Sequence, residues 1–290
     1  MRIVVFGGSG LLGSEIIRSL STKGIEITVP KIRISSLSQL CGFHLSEGTD
    51  AVFNCIGMVG VEACENDKPM SKLLNHEFPA RLATETNRLG LKLIHFSTPS
   101  VFSGESSPNT ETDTPDSTSV YGTTKAFGDL AVLENDPSAT ILRLNFTSFR
   151  KSPETFAYKV FDSANHDRTF DAFSDVFFNP VDSEIVGDLC LRLFHDDMSG
   201  LLNLGSTMTI SKYDFAREVY GQLGKDPNLV RNIAGSPISQ SKFFSSNTSL
   251  DTQRLSSYLG EKSCEFLTLD FNKLKSRYFD YLANIKLTNR

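Results

Sequence analysis

The chain has 290 residues, 39% hydrophobic and 22% charged, with 29 basic against 34 acidic side chains and a net charge of −5. That length allows two ordinary domains, or one large domain with an appended lobe, and the apolar share supports a buried core. Ordinary glycine and proline usage argues against a collagen-like or disordered chain, and the mild negative balance offers no footprint for nucleic acid.

Ile3-Val4-Val5-Phe6 reads as a parallel strand buried on both faces. The apolar run stops at Gly7-Gly8, too short for a signal peptide, and no 18 apolar residues run together, so no membrane span is expected. Gly7, Gly10 and Gly13 follow in a G-x-x-G-x-x-G spacing, and Ser14 to Leu20 carries apolar residues at helical spacing. Strand, glycine turn and helix stand in the order of a dinucleotide site. Gly7 allows a tight turn, Gly10 lets backbone N–H groups around Leu11 and Leu12 approach a pyrophosphate, and Gly13 lets the helix pack on the strand. The glycine spacing resembles that of the extended short-chain dehydrogenase/reductase family. A second strand is expected over Ile25 to Val29. Lys31 and Arg33 follow it where an acidic residue would hold the ribose diol of NAD. Cations suit a 2′-phosphate, so NADP(H) is the preferred cofactor and NAD(H) the alternative.

Ala51-Val52-Phe53 reads as the next buried strand, ending at Asn54-Cys55-Ile56-Gly57. A helix is expected from about Ser71 to Leu89, then a strand over Lys92 to Phe96 running into Ser97-Thr98. Strand C-terminal ends are where open α/β sheets bind ligands. A loop rich in Ser, Thr, Pro and acids, read as an active-site lid, leads to Tyr121-Gly122-Thr123-Thr124-Lys125. Tyr121 and Lys125 lie at i and i+4, on one helix face. An ammonium beside the phenol would lower its pKa and make Tyr121 an acid or base near neutrality. Thr98, Tyr121 and Lys125 are the candidate catalytic residues.

Several segments are similar to the dTDP-4-dehydrorhamnose reductase family. Asn54-Cys55-Ile56-Gly57 resembles its N-A-A-A strand end. Val61-Glu62-Ala63-Cys64-Glu65, with Pro69 and Asn75, resembles V-D-x-A-E…P…N. Ser97-Thr98 through Val101-Phe102-Ser103-Gly104 resembles S-T-D-Y-V-F-x-G. Glu111-Thr112-Asp113 with the Tyr121–Lys125 stretch and Gly128-Asp129 resembles E-T-D…Y-G-x-x-K…G-E. Asn179-Pro180-Val181 and Asn247-Thr248-Ser249-Leu250-Asp251 resemble G-x-P-T and N-S-x-L-D. The resemblance covers nearly the whole chain and is strongest over residues 1–130.

It implies a reductase of a nucleotide-linked 4-keto-6-deoxy sugar. Tyr121 would be the general acid, Lys125 would bind the nicotinamide ribose and Thr98 would hydrogen-bond the keto oxygen. Backbone around Leu11, Leu12, Ile56, Gly57 and Met58 would contact the cofactor, and Phe146 stands where the family carries a substrate-contacting tryptophan. Two departures stand out: Pro99 and Ser100 replace the acid and the aromatic of T-D-Y, and the chain has no tryptophan. Two other readings are an epimerase or dehydratase of the same superfamily and a non-catalytic NADP-binding subunit like the methionine adenosyltransferase β subunit.

The expected architecture is a Rossmann-like, doubly wound α/β fold, with residues 1–148 binding NAD(P) and 149–290 forming a smaller substrate-binding lobe, which possesses strands able to return to the sheet. A helix is expected to start near Ser211, with further helices over Asp251 to Leu259 and Phe271 to Leu287. The serine-rich stretch 235–249 reads as a loop anchored by Phe243 and Phe244. Five cysteines without a C-x-x-C pair and five scattered histidines argue against a disulfide framework or a metal site, and point to a cytoplasmic protein. A homodimer is left open.

Overall fold

The computed structural model describes residues 1–36, 45, 48–149, 155–235 and 245–288. Phe243 and Phe244 lie outside them. Strand β1 (Arg2–Phe6) shows how the layers arise. Successive side chains of a strand point to opposite faces. Ile3 and Val5 therefore enter one core, with Ile16, Leu20 and Phe53, while Val4 and Phe6 enter another, with Val52, Phe78, Leu82 and Leu93.

Along the chain, β1 is followed by α1 (Leu11–Ser21), β2 (Glu26–Thr28), β3 (Ala51–Asn54), α2 (Val61–Asn66) and α3 (Lys68–Lys72). A π-helical turn, Leu73–Glu77, joins α3 to α4 (Phe78–Leu89), and β4 (Lys92–Ser97), α5 (Val120–Asn135) and β5 (Thr140–Leu144) follow. These elements alternate as a doubly wound sheet requires. The second half begins with β6 (Phe146–Thr147), α6 (Phe156–Asn165), β7 (Phe170–Ala172), β8 (Phe177–Phe178) and β9 (Val181–Asp182). It continues through α7 (Val186–His195), β10 (Gly200–Leu204), β11 (Ile210–Ser211), α8 (Lys212–Gln222) and β12 (Val230–Asn232). It ends with α9 (Gln253–Leu259), α10 (Ser263–Leu267) and α11 (Phe271–Thr288).

Among the described residues the main sheet has six strands in the order β10-β5-β4-β3-β1-β2, every neighbouring pair parallel. The fold is Rossmann-like α/β. The chain reverses its direction of travel across the sheet between β1 and β3, and that switch point opens a crevice at the strand C-termini. Strand β10 comes from the second half of the chain, and α7 packs on the same core face as α1. The sheet is therefore completed by residues well beyond 148.

The remaining second-half elements form a lobe with its own core, built from aromatic rings on α6, α8 and α11. Phe149 meets Phe161 edge-on at 5.1 Å, Phe161 lies 5.3 Å from Tyr278, and Phe215 lies 5.2 Å from Phe271. No described helix is long and apolar enough to cross a membrane.

A buried ionic contact ties the lobe to the sheet. Glu15 on α1 is fully buried and accepts from Arg277 of α11 at 2.9 Å, from Ser148 at 3.0 Å and from Arg18 at 3.2 Å. Arg277 also pairs with Asp182 at the end of β9. Removing one partner leaves a carboxylate buried without enough compensation. Arg277→Met is expected to lower unfolding free energy by about 3 kcal/mol in urea titrations. Combined with Glu15→Gln, it should cost clearly less than the sum of the two single changes.

Candidate active site

The glycine turn sits at the switch point. Gly7 has φ +74°, and a Cβ there would lie 2.8 Å from the backbone of Cys55, so only glycine lets β1 turn against the end of β3. At Gly13 a Cβ would lie 2.4 Å from the Gly7 carbonyl oxygen, which is the close helix–turn packing its spacing predicted. Gly10 is exposed and occupies the N-cap of α1, where no side chain caps the helix and no acid stands in the first turn. Leu11 and Leu12 open the helix, half-buried. The free N–H groups and positive dipole end of α1 thus face the crevice, a cradle suited to a dinucleotide's pyrophosphate. Lys31 and Arg33 are exposed beyond edge strand β2 and make no ion pair among the described residues, so both remain available to a phosphate.

Ile56, Gly57 and Met58 form the loop after β3, and Asn75 holds it. This amide is wholly buried in the π-helical turn, a geometry that often marks functional positions. Its Oδ1 accepts from Met58 N–H at 2.8 Å, and its Nδ2 donates to Met58 O at 3.0 Å and Thr124 Oγ1 at 3.2 Å. Thr124 lies between Tyr121 and Lys125, so one amide couples the loop to the tyrosine helix. Gly128 allows the approach: a Cβ there would fall 2.0 Å from the Asn75 carbonyl oxygen. Sequence reasoning quoted Asn75 only as a motif position.

Thr98 follows β4 and caps the short turn Pro99–Val101, accepting from Ser100 N–H at 3.2 Å. Pro99 is buried, whereas Ser100 lines a cavity of about 220 Å³ together with Ser117, Thr118 and Ser119. Tyr121 lies in the first turn of α5, after its N-cap Ser119, and its phenol neighbours the Thr98 side chain. Burial raises the Tyr121 pKa above its ordinary value of 10, and the nearby Thr98 hydroxyl only partly offsets this.

This corrects the expectation that Lys125 lowers the phenol pKa. Burial sets the direction of the shift, and the Lys125 ammonium is engaged with the sheet. Its Nζ donates to the Phe96 carbonyl oxygen at 2.7 Å and lies 3.4 Å from His95 Nε2. His95 is buried in β4, and burial with the adjacent Lys125 charge holds it neutral, well below its usual range. Asn54 Oδ1 accepts from Ile56 N–H, which turns the Asn54 amide nitrogen to His95 Nδ1 at 3.0 Å. Burial brings Lys125 down to about 8, against the attraction of Asp129. Asp129 itself pairs with Arg143 at 3.0 Å, both buried. A histidine inside the apolar run of β4 was the available sequence signal for this network.

The anticipated lid is strapped down. Asp116 accepts from Ser103 N–H, Asp251 N–H donates to Asn109 O at 2.8 Å, and Asn203 Nδ2 donates to the same oxygen at 2.9 Å. Phe146 is half-buried and lines a second cleft with Phe156 and Phe178. Cys55, Cys64 and Cys190 are free thiols, and no group of metal-ligating side chains is found among the described residues.

The model of the RmlD substrate binding domain matches residues 1–269. The chain belongs to that family. Among relatives of the family, the probable low-salt glycan biosynthesis reductase Agl14 of Haloferax volcanii is 25% identical, over 97% of this chain and 99% of its own. The dTDP-4-dehydrorhamnose reductase of Clostridium acetobutylicum superposes with a TM-score of 0.84 at 22% identity, covering 98% of this chain and all of that one. The Bacillus anthracis reductase of the same name, solved in complex with NADP, gives a TM-score of 0.81 at 18% identity over 96% and 97% of the two chains. Both superpositions report the shared fold.

Lys125 carries a pH signature. Its folded pKa near 8 lies below the 10.5 of an unfolded lysine, so the unfolded chain binds more protons between those values and stability rises with pH across that window. In Lys125→Met the rise from pH 8 to 10.5 should shrink by about 3 kcal/mol in denaturant titrations, and an unchanged rise would contradict the assignment.

Proposed function

We propose that this chain is an NADP(H)-dependent reductase of a nucleotide-linked 4-keto-6-deoxy sugar, working in the cytoplasm. The observation that carries the reading is the placement of Thr98, just after β4, against Tyr121 of α5, at the end of the sheet where the uncapped glycine turn marks the switch point. Gly7, Gly10, Leu11, Leu12 and Gly13 would hold the cofactor's pyrophosphate, Lys31 and Arg33 its 2′-phosphate, and Ile56, Gly57 and Met58 its nicotinamide half. When bound, the reduced nicotinamide supplies the hydride.

The chain's own residues supply the rest. Thr98 donates a hydrogen bond to the keto oxygen and polarises it. Tyr121 gives that oxygen its proton, and a pKa raised by burial keeps the phenol protonated through neutral pH, the form a donor requires. Lys125, held by the Phe96 carbonyl, keeps two N–H groups for the ribose hydroxyls. Ser100 lines one cavity where the family motif carries an aromatic, and Phe146 lines the neighbouring cleft where the family carries tryptophan, so the sugar or base is expected to differ from that of the rhamnose enzymes. Buried Pro99 leaves no acid beside Thr98 for a dehydratase.

The test is NADPH oxidation with dTDP-, GDP-, UDP- and CDP-linked 4-keto sugars. One of them should turn over, and Tyr121→Phe should reduce kcat by about 10²- to 10⁴-fold with NADPH affinity unchanged. No turnover with any sugar, together with equal NADPH binding by both proteins, would leave the non-catalytic reading in possession. Separately, the Lys31→Ala, Arg33→Ala double variant should lose about tenfold or more of its NADPH-over-NADH affinity ratio, read by fluorescence titration.

A further inference from the structure

Lys212, the first residue of α8, stands between two cavities and lines both. One is the hydroxyl-rich cavity of Ser100, Ser117 and Ser119, whose walls come from the turn that Thr98 caps and from the segment leading into α5. The other, of about 90 Å³, is walled by Phe146, Phe156 and Phe178 with the amide of Asn145. The Lys212 ammonium lies 3.2 Å from the centre of the Phe178 ring and 4.3 Å from that of Phe156. Among the described residues it has no carboxylate partner and no hydrogen-bond acceptor. Among the described residues neither cavity is lined by any other charged or titratable side chain. Tyr213 and Asp214 on α8, Tyr158 and Lys159 on α6 and Asp175 before β8 belong to the surrounding elements but line neither.

A nucleotide-linked sugar presents a flat base, a dianionic diphosphate and a hydroxylated ring, in that order. The walls present an aromatic cleft, a cation and a hydroxyl-lined cavity, in the same order. We propose that Lys212 anchors the diphosphate of a nucleotide-linked sugar, with the nucleoside in the Phe146–Phe156–Phe178 cleft and the sugar running toward Thr98. This rests on the reductase reading above and names the subsite that selects its substrate class. Ring faces hold the cation weakly enough to release it to a ligand, whereas a carboxylate partner would compete with the diphosphate. Burial alone draws Lys212 down to about 7, so an arriving anion restores a charge that the empty site only half supports.

The test is calorimetric titration of the NADPH-loaded full chain with dTDP-glucose and UDP-glucose, whose diphosphate diesters stay fully ionised near neutrality. Lys212→Met should weaken the better ligand by about tenfold to hundredfold, and Lys212→Arg should recover most of the loss. Binding at pH 8 should draw about one proton from the buffer in the wild type and none in Lys212→Arg, whose guanidinium is always charged. A merely structural Lys212 would show no such proton uptake. Thermal unfolding and NADPH affinity of the variants confirm that each is folded. Affinity in Lys212→Met equal to wild type, or wild-type binding without proton uptake, overturns the proposal. The two readings fail separately: turnover of a 4-keto sugar at unchanged KM in Lys212→Met removes the anchor and keeps the reductase. Lys212-dependent nucleotide-sugar binding without turnover of any 4-keto sugar keeps the anchor and removes the reductase.

Discussion

The site depends on one buried amide. Asn75 makes a two-way hydrogen bond with Met58 on one side and reaches Thr124 of the tyrosine helix on the other. A buried polar group must be satisfied on all sides or cost free energy, so an amide with partners on separate segments holds them in a single register. The loop after β3 and the start of α5 therefore cannot drift independently. The π-helical turn supplies the extra residue that aims Asn75 inward, and Gly128 lets α5 sit close enough to be reached. Without this contact the glycine turn and Tyr121 would be neighbours only through the sheet.

The parts of the fold that follow from local chemistry were legible in the sequence. Strands β1, β3 and β4 are short apolar runs, the turn between β1 and α1 is marked by its glycines, and Ser211 announces α8 as its N-cap. Lys125 was placed on the right helix, but its bonds into the sheet were not foreseen. Helical spacing says which side chains share a face, but the direction of a long side chain is settled by what it can bond across the sheet. Here the Phe96 carbonyl and His95 decide it. Strand β10 and helix α7 escaped notice because the short runs Leu201-Leu202 and Leu189 to Leu193 carry no motif. Their placement beside β5 and α1 comes from long-range packing.

Three buried or half-buried cations illustrate how context sets the role of a charge. Arg277 meets Glu15 and Asp182 and serves as a clamp between lobe and sheet. Lys125 has a carbonyl oxygen and the more distant attraction of Asp129, so it keeps a weakened charge at the cofactor side of the site. Among the described residues Lys212 meets only ring faces. The order from clamp to half-supported charge follows the number of oxygens each cation meets, because desolvation penalises all three and only oxygen acceptors repay it.

The same logic bears on the altered substrate pocket. The family motif's acid and aromatic are replaced by Pro99, which turns into the protein, and Ser100, which faces the cavity. Losing a ring and a carboxylate together makes that wall smaller, hydroxyl-lined and uncharged, while Phe146 and its neighbours keep an aromatic surface on the far side. With no acid left in either cavity, electrostatic selection falls to Lys212. Thr98 and Tyr121 retain the chemistry at the carbonyl. Reaction type and substrate choice are thus carried by separate elements, the end of β4 with α5 for the first and the start of α8 with β6 and β8 for the second. The pocket could diverge from its relatives because none of its altered residues bears on the Asn75 contact that keeps the reacting groups in register.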